Sequence, residues 1–256
     1  MPLAADALLP VTPTLGAVLA VLLLAAAVLA AYAHLVQDDG KPYARAIVRA
    51  GLRAAVQLAA VSLVIGWVMG ALPTLLAFVL LMFAVAVRTA GRRVTPNRTW
   101  AWTAVPIAAG VLPVVLTLVL TGLVPLRGVA LIPIAGILIG GALTGTVLAG
   151  RRALEELKQR HGEVEAAMAL GMPDRDARLE IARPAAAGAL VPGLDQTRTV
   201  GLVTLPGAFV GMLLGGASPV LAGAVQLFVL VQVIAVGAVL ELVARGRLHR
   251  REPPPL

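Results

Sequence analysis

Five stretches of the chain, residues 7–37, 54–87, 99–126, 128–150 and 199–240, contain no Asp, Glu, Lys or Arg. Each exceeds the roughly 20 apolar residues that carry a helix across a bilayer. The pattern therefore predicts an all-α, polytopic membrane bundle, because a lipid-exposed backbone must satisfy its hydrogen bonds within its own helix. The second and fifth stretches are too long for one span, and each holds turn residues near its middle: Gly70-Ala71-Leu72-Pro73 and Gly215-Gly216-Ala217-Ser218-Pro219. Dividing them there gives about seven helices, at 12–36, 52–71, 73–90, 100–121, 129–149, 197–214 and 219–244. The third reaches span length only if Arg88 snorkels to the interface.

Composition agrees with that pattern. Of 256 residues, 59% are hydrophobic and 13% charged, well above the apolar share of a soluble domain. The net charge of +8 is distributed by topology. With seven spans and the N-terminus outside, every basic residue except Arg127 falls on the inner side, as the positive-inside rule requires of an N-out, C-in protein. Lys41, Arg45, Arg49 and Arg53 make the first inner loop; Arg88, Arg92, Arg93 and Arg98 make the second. A nucleic-acid reader would gather such residues into one patch, so the bilayer is the expected partner and nucleic acid is not. Met1 to Pro13 holds Asp6 and no Lys or Arg, so the first apolar run reads as a retained helix, with cleavage at the small-x-small site Ala31-Tyr32-Ala33 the lesser alternative. Glycines at four-residue spacing (Gly66/Gly70, Gly136/Gly140, Gly141/Gly145, Gly207/Gly211/Gly215) suit close helix contact, either inside the bundle or between subunits.

The segment 151–198 differs from the rest. It carries 8 of the 21 basic and 8 of the 13 acidic residues, more than a plain connector needs. Residues 151–160 read as a charged helix with Glu155–Gln159 and Glu156–Arg160 at i,i+4, interrupted at His161-Gly162. A short helix over 163–170 follows, with its acids in the first turn. Val164, Ala167, Met168 and Gly171 form an apolar stripe along it. Gly171 suits a left-handed helix end, and Pro173, Asp174 and Asp176 suit the start of another helix. Such an element fits either a partner's groove or the membrane surface.

Glu165-Ala166-Ala167, three residues, Gly171, nine residues, Ile181 and then Pro184 resembles the EAA loop of ABC-transporter permeases, with Arg183 in place of the usual Leu. The surrounding sequence resembles the FetB-type permeases linked to iron export, whose plant relatives are linked to aluminium tolerance. The matching pieces are Arg53-Ala54-x-x-Gln57-Leu58, Ile132-Pro133-Ile134-Ala135-Gly136, Leu190-Val191-Pro192-x-x-Asp195-x-x-x-Thr199-Val200-Gly201-Leu202-Val203-x-Leu205-Pro206-Gly207, and Gln226. Two departures bear on cargo: Gly140-Gly141-Ala142-Leu143 stands where the family commonly has Gly-Asn-Ala-Met, and Ala208-Phe209 where it has Met-Met. The resemblance implies one permease domain over 1–256 in the plasma (inner) membrane, acting as a homodimer. It also implies a cytoplasmic coupling segment over 151–198 that engages an ABC ATP-binding subunit through Glu165, Ala166, Ala167, Gly171, Ile181 and Pro184.

The chain itself has no Gly-x4-Gly-Lys-Ser/Thr phosphate loop, so ATP would be bound by the partner and no cofactor by this chain. It has no Cys, no His-Glu-x-x-His and no Gly-x-Ser-x-Gly motif, and no catalytic residue or firm metal site is assigned. Intramembrane polar residues are the candidates for a transport path, because burying them unpartnered is costly. Asp195 comes first, with two readings open: it caps the sixth helix through the N–H of Thr197 or Arg198, or it faces a cation or Arg198. Gln57, Thr199, Gln226 and Gln232 follow. Thr144 and Thr146 are expected to bond carbonyls of their own helix, and Glu241 to pair with Arg245.

Overall fold

The computed structural model describes residues 13–36, 40–124, 128–199, 209–210, 213, 218–226 and 229–249. Among them the chain is helical, with one isolated bridge between Val36 and Pro42. The helices are α1 (Pro13–Tyr32), α2 (Tyr43–Val68), α3 (Leu72–Val94), a 3-10 turn (Arg98–Thr103) leading into α4 (Ala104–Leu120), and α5 (Gly128–Gln159). After them come α6 (His161–Ala169), α7 (Asp174–Ala187), a 3-10 turn (Gly188–Leu190), α8 (Val191–Thr199), α9 (Pro219–Gln226) and α10 (Val229–Ala244). Five elements, α1 to α5 with the turn before α4 included, are long and apolar enough to cross a membrane. The expected sixth span, 197–214, lies mostly outside the described residues.

Several boundaries differ from the sequence reading: α6 starts at His161, so the break falls at Arg160 and not at His161-Gly162. The second helix starts at Tyr43 and not near 52, so Arg45, Arg49 and Arg53 belong to a helix and not to a loop. Arginine is a good helix former, and charge alone does not end a helix. For the same reason α5 runs unbroken through Arg151 and Arg152 to Gln159. The expected inner helix and the fifth span are one rod of 32 residues, about 48 Å long at 1.5 Å per residue.

The chain divides into two compact units, residues 1–66 and 67–256. In the first, α1 and α2 form an antiparallel hairpin closed by a turn in which Tyr43 N–H donates to Leu35 O at 3.0 Å. Leu23 packs onto the bare Cα of Gly51, within 2.5 Å of where a Cβ would stand. In the second unit α5 is the hub, packed against α3, α4, α7 and α10. Gly110 brings α4 to within 2.9 Å, Cβ position to oxygen, of the Val231 carbonyl in α10, with Ala142 of α5 beside it. Ile107, Leu138, Ala142 and Val239 are buried there. The chain after α10 turns back: the His249 carbonyl accepts from Thr95 Oγ1 (3.0 Å) and Asn97 Nδ2 (3.1 Å), and Arg247 lies over the Trp102 ring at 5.1 Å.

Candidate functional site

The segment with the EAA-like spacing is a helical hairpin at the far end of α5. Arg160 turns the chain there: its guanidinium donates to both carboxylate oxygens of Glu163 and to Glu156. The fork lowers the Glu163 carboxyl below its ordinary range and raises the Arg160 guanidinium. Gln159 bonds Glu155 at 3.3 Å. α6 then ends as expected, in a left-handed glycine: Gly171 has φ +92°. Its N–H donates to Met168 O at 2.9 Å, and Met172 N–H reaches Ala167 O at 3.1 Å. This is the double closure of a Schellman end. Pro173 caps α7, and Asp174 and Asp176 occupy its first turn.

The apolar stripe is divided in a way periodicity did not foresee. Val164 is 5% exposed and packs with Ala177 and Ile181 of α7, with Leu157 and Ala167 at the margin. Val164, Ala177 and Ile181 hold the two helices together and face away from any partner. The outward apolar surface is instead the turn, where Met168, Leu170 and Met172 are 37%, 90% and 40% exposed. Glu165 and Ala166 are exposed beside it, Glu165 within 3.4 Å of His161 Nδ1. Ile181 is buried and Pro184 exposed. The apolar stripe gave no signal for Leu170 and Met172, because neither falls on its i, i+3, i+4, i+7 positions.

α7 lies against both α5 and α10, and an ion pair ties it to the latter. Arg175 Nη2 donates to Glu241 Oε2 at 2.8 Å and Nε to Oε1 at 3.3 Å. Glu241 also accepts from Arg245 as expected, while Arg175 reaches Asp176 at 2.9 Å. Glu241 chiefly, and Asp176 after it, raise the Arg175 guanidinium. The acid closing a long uncharged run signals that Glu241 needs a partner; nothing in the sequence identifies Arg175 as one.

Among the path candidates, the structure brings Gln232 of α10 together with α8 and α5. The Gln232 Oε1 lies 2.1 Å from where a Gly193 Cβ would stand, and its side chain approaches the Gly141 Cβ position at 3.8 Å. Gly145 faces the Gln232 backbone at 3.5 Å. Gly141 and Gly145 thus pack inside the bundle, whereas Gly66 and Gly140 have open space where a Cβ would be. Asp195 lies two residues beyond Gly193, inside α8 and four residues after its start, and meets Arg198 Nη1 at 3.3 Å. Of the two readings open for Asp195, the pairing with Arg198 is present. Gln57 is exposed on α2, in the first unit. The side chains of Thr199 and Gln226, and Gly207, lie outside the described residues.

Thr144 bonds Gly140 O at 3.0 Å as expected. Thr146 does not follow: it is 0% exposed and its Oγ1 has no hydrogen-bond partner among the described residues. It sits one turn beyond Ala142, on the face of α5 that meets Gly110. A buried orphan hydroxyl is rare enough to mark a position. Among the described residues there is no group of three or more His, Cys, Asp or Glu able to hold a metal ion.

A family model described as "Uncharacterised protein family (UPF0014)" matches residues 17–251. Protein ALUMINUM SENSITIVE 3 of Arabidopsis thaliana is 39% identical over 160 residues, covering 62% of this chain and 58% of that protein. UPF0014 membrane protein YjkA of Bacillus subtilis is 32% identical over 197 residues, 74% of this chain and 77% of its own. A protein of Escherichia coli named "Probable iron export permease protein FetB" is 29% identical over 152 residues, 58% of this chain and 56% of its own. The chain therefore spans little more than half the length of the plant relative and of the E. coli one. No solved structure matches it.

Proposed function

The chain belongs to the uncharacterised protein family UPF0014 and is a multi-pass membrane protein; from that premise we propose that it is the membrane-spanning permease subunit of an ABC transporter. In this reading it works as a homodimer in the plasma (inner) membrane, with seven spans, the N-terminus outside and the C-terminus inside. It exports a metal ion or small solute using ATP hydrolysed by a separate ABC ATP-binding subunit. The name of the E. coli relative supports permease activity and an iron-like cargo.

The observation that carries the reading is the Met168–Leu170–Met172 tip, an exposed apolar turn held rigid by the α6–α7 core at the end of a 32-residue helix. Closure of the partner subunits on ATP would displace that tip. The Val164–Ile181 core makes α6 and α7 move as one body, and α7 passes the motion to α5 by packing and to α10 through Arg175–Glu241. Glu165, Ala166, Ala167 and Gly171 then shape the docking turn, Ile181 is its internal brace, and Pro184 lies on the exposed side of α7. Gln232, packed beside Gly193, is with Asp195, Thr199 and Gln226 the proposed path lining, and Gln57 in the first unit is a separate candidate.

Reconstituting the chain with an ABC ATP-binding subunit and titrating divalent cations and small organic solutes tests the proposal. Cargo-dependent stimulation of ATP hydrolysis is the expected result. A response to other solutes with none to Fe(II) would remove iron, and no response to any would remove the transport reading.

A further inference from the structure

The α1–α2 hairpin carries a groove that the permease reading leaves unused. It has a volume of about 560 Å³ and runs between Leu24, Val28 and Ala31 of α1 and Val48 and Leu52 of α2. Its walls are aliphatic except for Arg45, near the end where the hairpin turns, and Arg49, one helical turn further along α2. The two arginines are one helical turn apart, so their side chains share a face. Both are exposed, and neither has an ion-pair partner among the described residues. Beyond the groove the hairpin closes again where Leu23 meets Gly51.

We propose that this groove binds one anionic phospholipid, an acyl chain lying between α1 and α2 and the phosphate held by Arg45 and Arg49. Charge complementarity selects that occupant. Two guanidiniums offer planar, forked donors suited to phosphate oxygens, and aliphatic side chains of both helices line the groove alongside them. Basic pockets between spanning helices take acidic head groups in this way. A second copy of the chain would bring its own Arg45 and Arg49 to the same place, and like charges would oppose it. An acidic soluble peptide would leave the aliphatic channel empty. The inference holds whether or not an ATPase docks at α6.

Native mass spectrometry of the full, delipidated chain tests it, with dioleoylphosphatidylglycerol and dioleoylphosphatidylcholine added separately. The wild type should prefer phosphatidylglycerol. Arg45→Gln/Arg49→Gln should weaken that binding about 30-fold, on the order of fivefold per arginine, and leave phosphatidylcholine unchanged. Arg88→Gln/Arg93→Gln, equal in charge lost, should change little. Ala31→Trp, which fills the channel and keeps both arginines, should also reduce binding, and Arg45→Lys/Arg49→Lys should restore most of it. Inorganic phosphate at millimolar concentration should not compete. Equal losses in the two glutamine pairs, full binding in Ala31→Trp, displacement by phosphate, or loss of a dimer with lipid uptake unchanged would each overturn the proposal.

Discussion

Arg175 holds both carboxylate oxygens of Glu241 across 66 residues of chain, joining the α6–α7 hairpin to the last described helix. If α7 drives α10 through this contact, its loss should separate ATP hydrolysis from transport without unfolding the protein, since exposed pairs add little to stability. Arg175→Glu and Glu241→Arg alone should each lower transport severalfold at unchanged ATPase rate, and the double exchange should recover most of it. Measuring transport and hydrolysis in the same vesicles checks this. Recovery failing while both single variants fold would assign the coupling to packing alone.

The turn at Gly171 makes a graded prediction. At φ +92° a Cβ is strained whatever the space around it, and no atom crowds that position. Asn visits left-handed conformations more readily than other residues, and β-branched residues least. ATPase association should therefore fall in the order Gly171, Asn, Asp, Val, by binding measured on purified variants. Equal association in Gly171→Val and the wild type would show that the turn is not a docking element.

Gln232 and Gly193 should act as a unit. Gly193→Ala places a methyl on the Gln232 carboxamide, which must swing aside, whereas Gly193→Ala/Gln232→Ala relieves the clash. Transport velocity should drop in the single Gly193 variant. If the carboxamide is needed only for packing, the double variant recovers; if it touches cargo, the double variant stays impaired and its apparent cargo affinity shifts.

Thr146→Val removes an orphan hydroxyl at nearly constant volume. A buried unpaired donor costs about 1–3 kcal/mol, so this variant should melt higher than the wild type, read by thermal unfolding in detergent. A lower melting point would mean that the hydroxyl is satisfied in the membrane.

The features legible in advance were local ones. Gly171 announced its own conformation, because a glycine so placed favours a left-handed helix end, and the i,i+4 pairs of Glu155 and Glu156 were fixed by helical spacing. Membrane character followed from charge-free runs. Helix starts did not: Arg45 and Arg49 stopped the hydropathy count without stopping the helix, and Arg151 did the same inside α5. Contacts between distant elements were invisible to period and composition. The inward turn of Val164 and Ile181 depends on α7 folding back, and Arg175 meets Glu241 only once α10 is in place.

The docking claim rests on Leu170, which is 90% exposed and has no part in the α6–α7 core. Replacing it by Glu leaves that core untouched, and burying a leucine contributes about 1.5–3 kcal/mol to an interface. The decisive measurement is the amount of ABC ATP-binding subunit that co-purifies from native membranes with the tagged chain. Wild type should retain it, and Leu170→Glu should retain about tenfold less or lower still at equal yield and helicity. An absence of any such subunit with the wild type, or equal recovery with Leu170→Glu, would contradict the account.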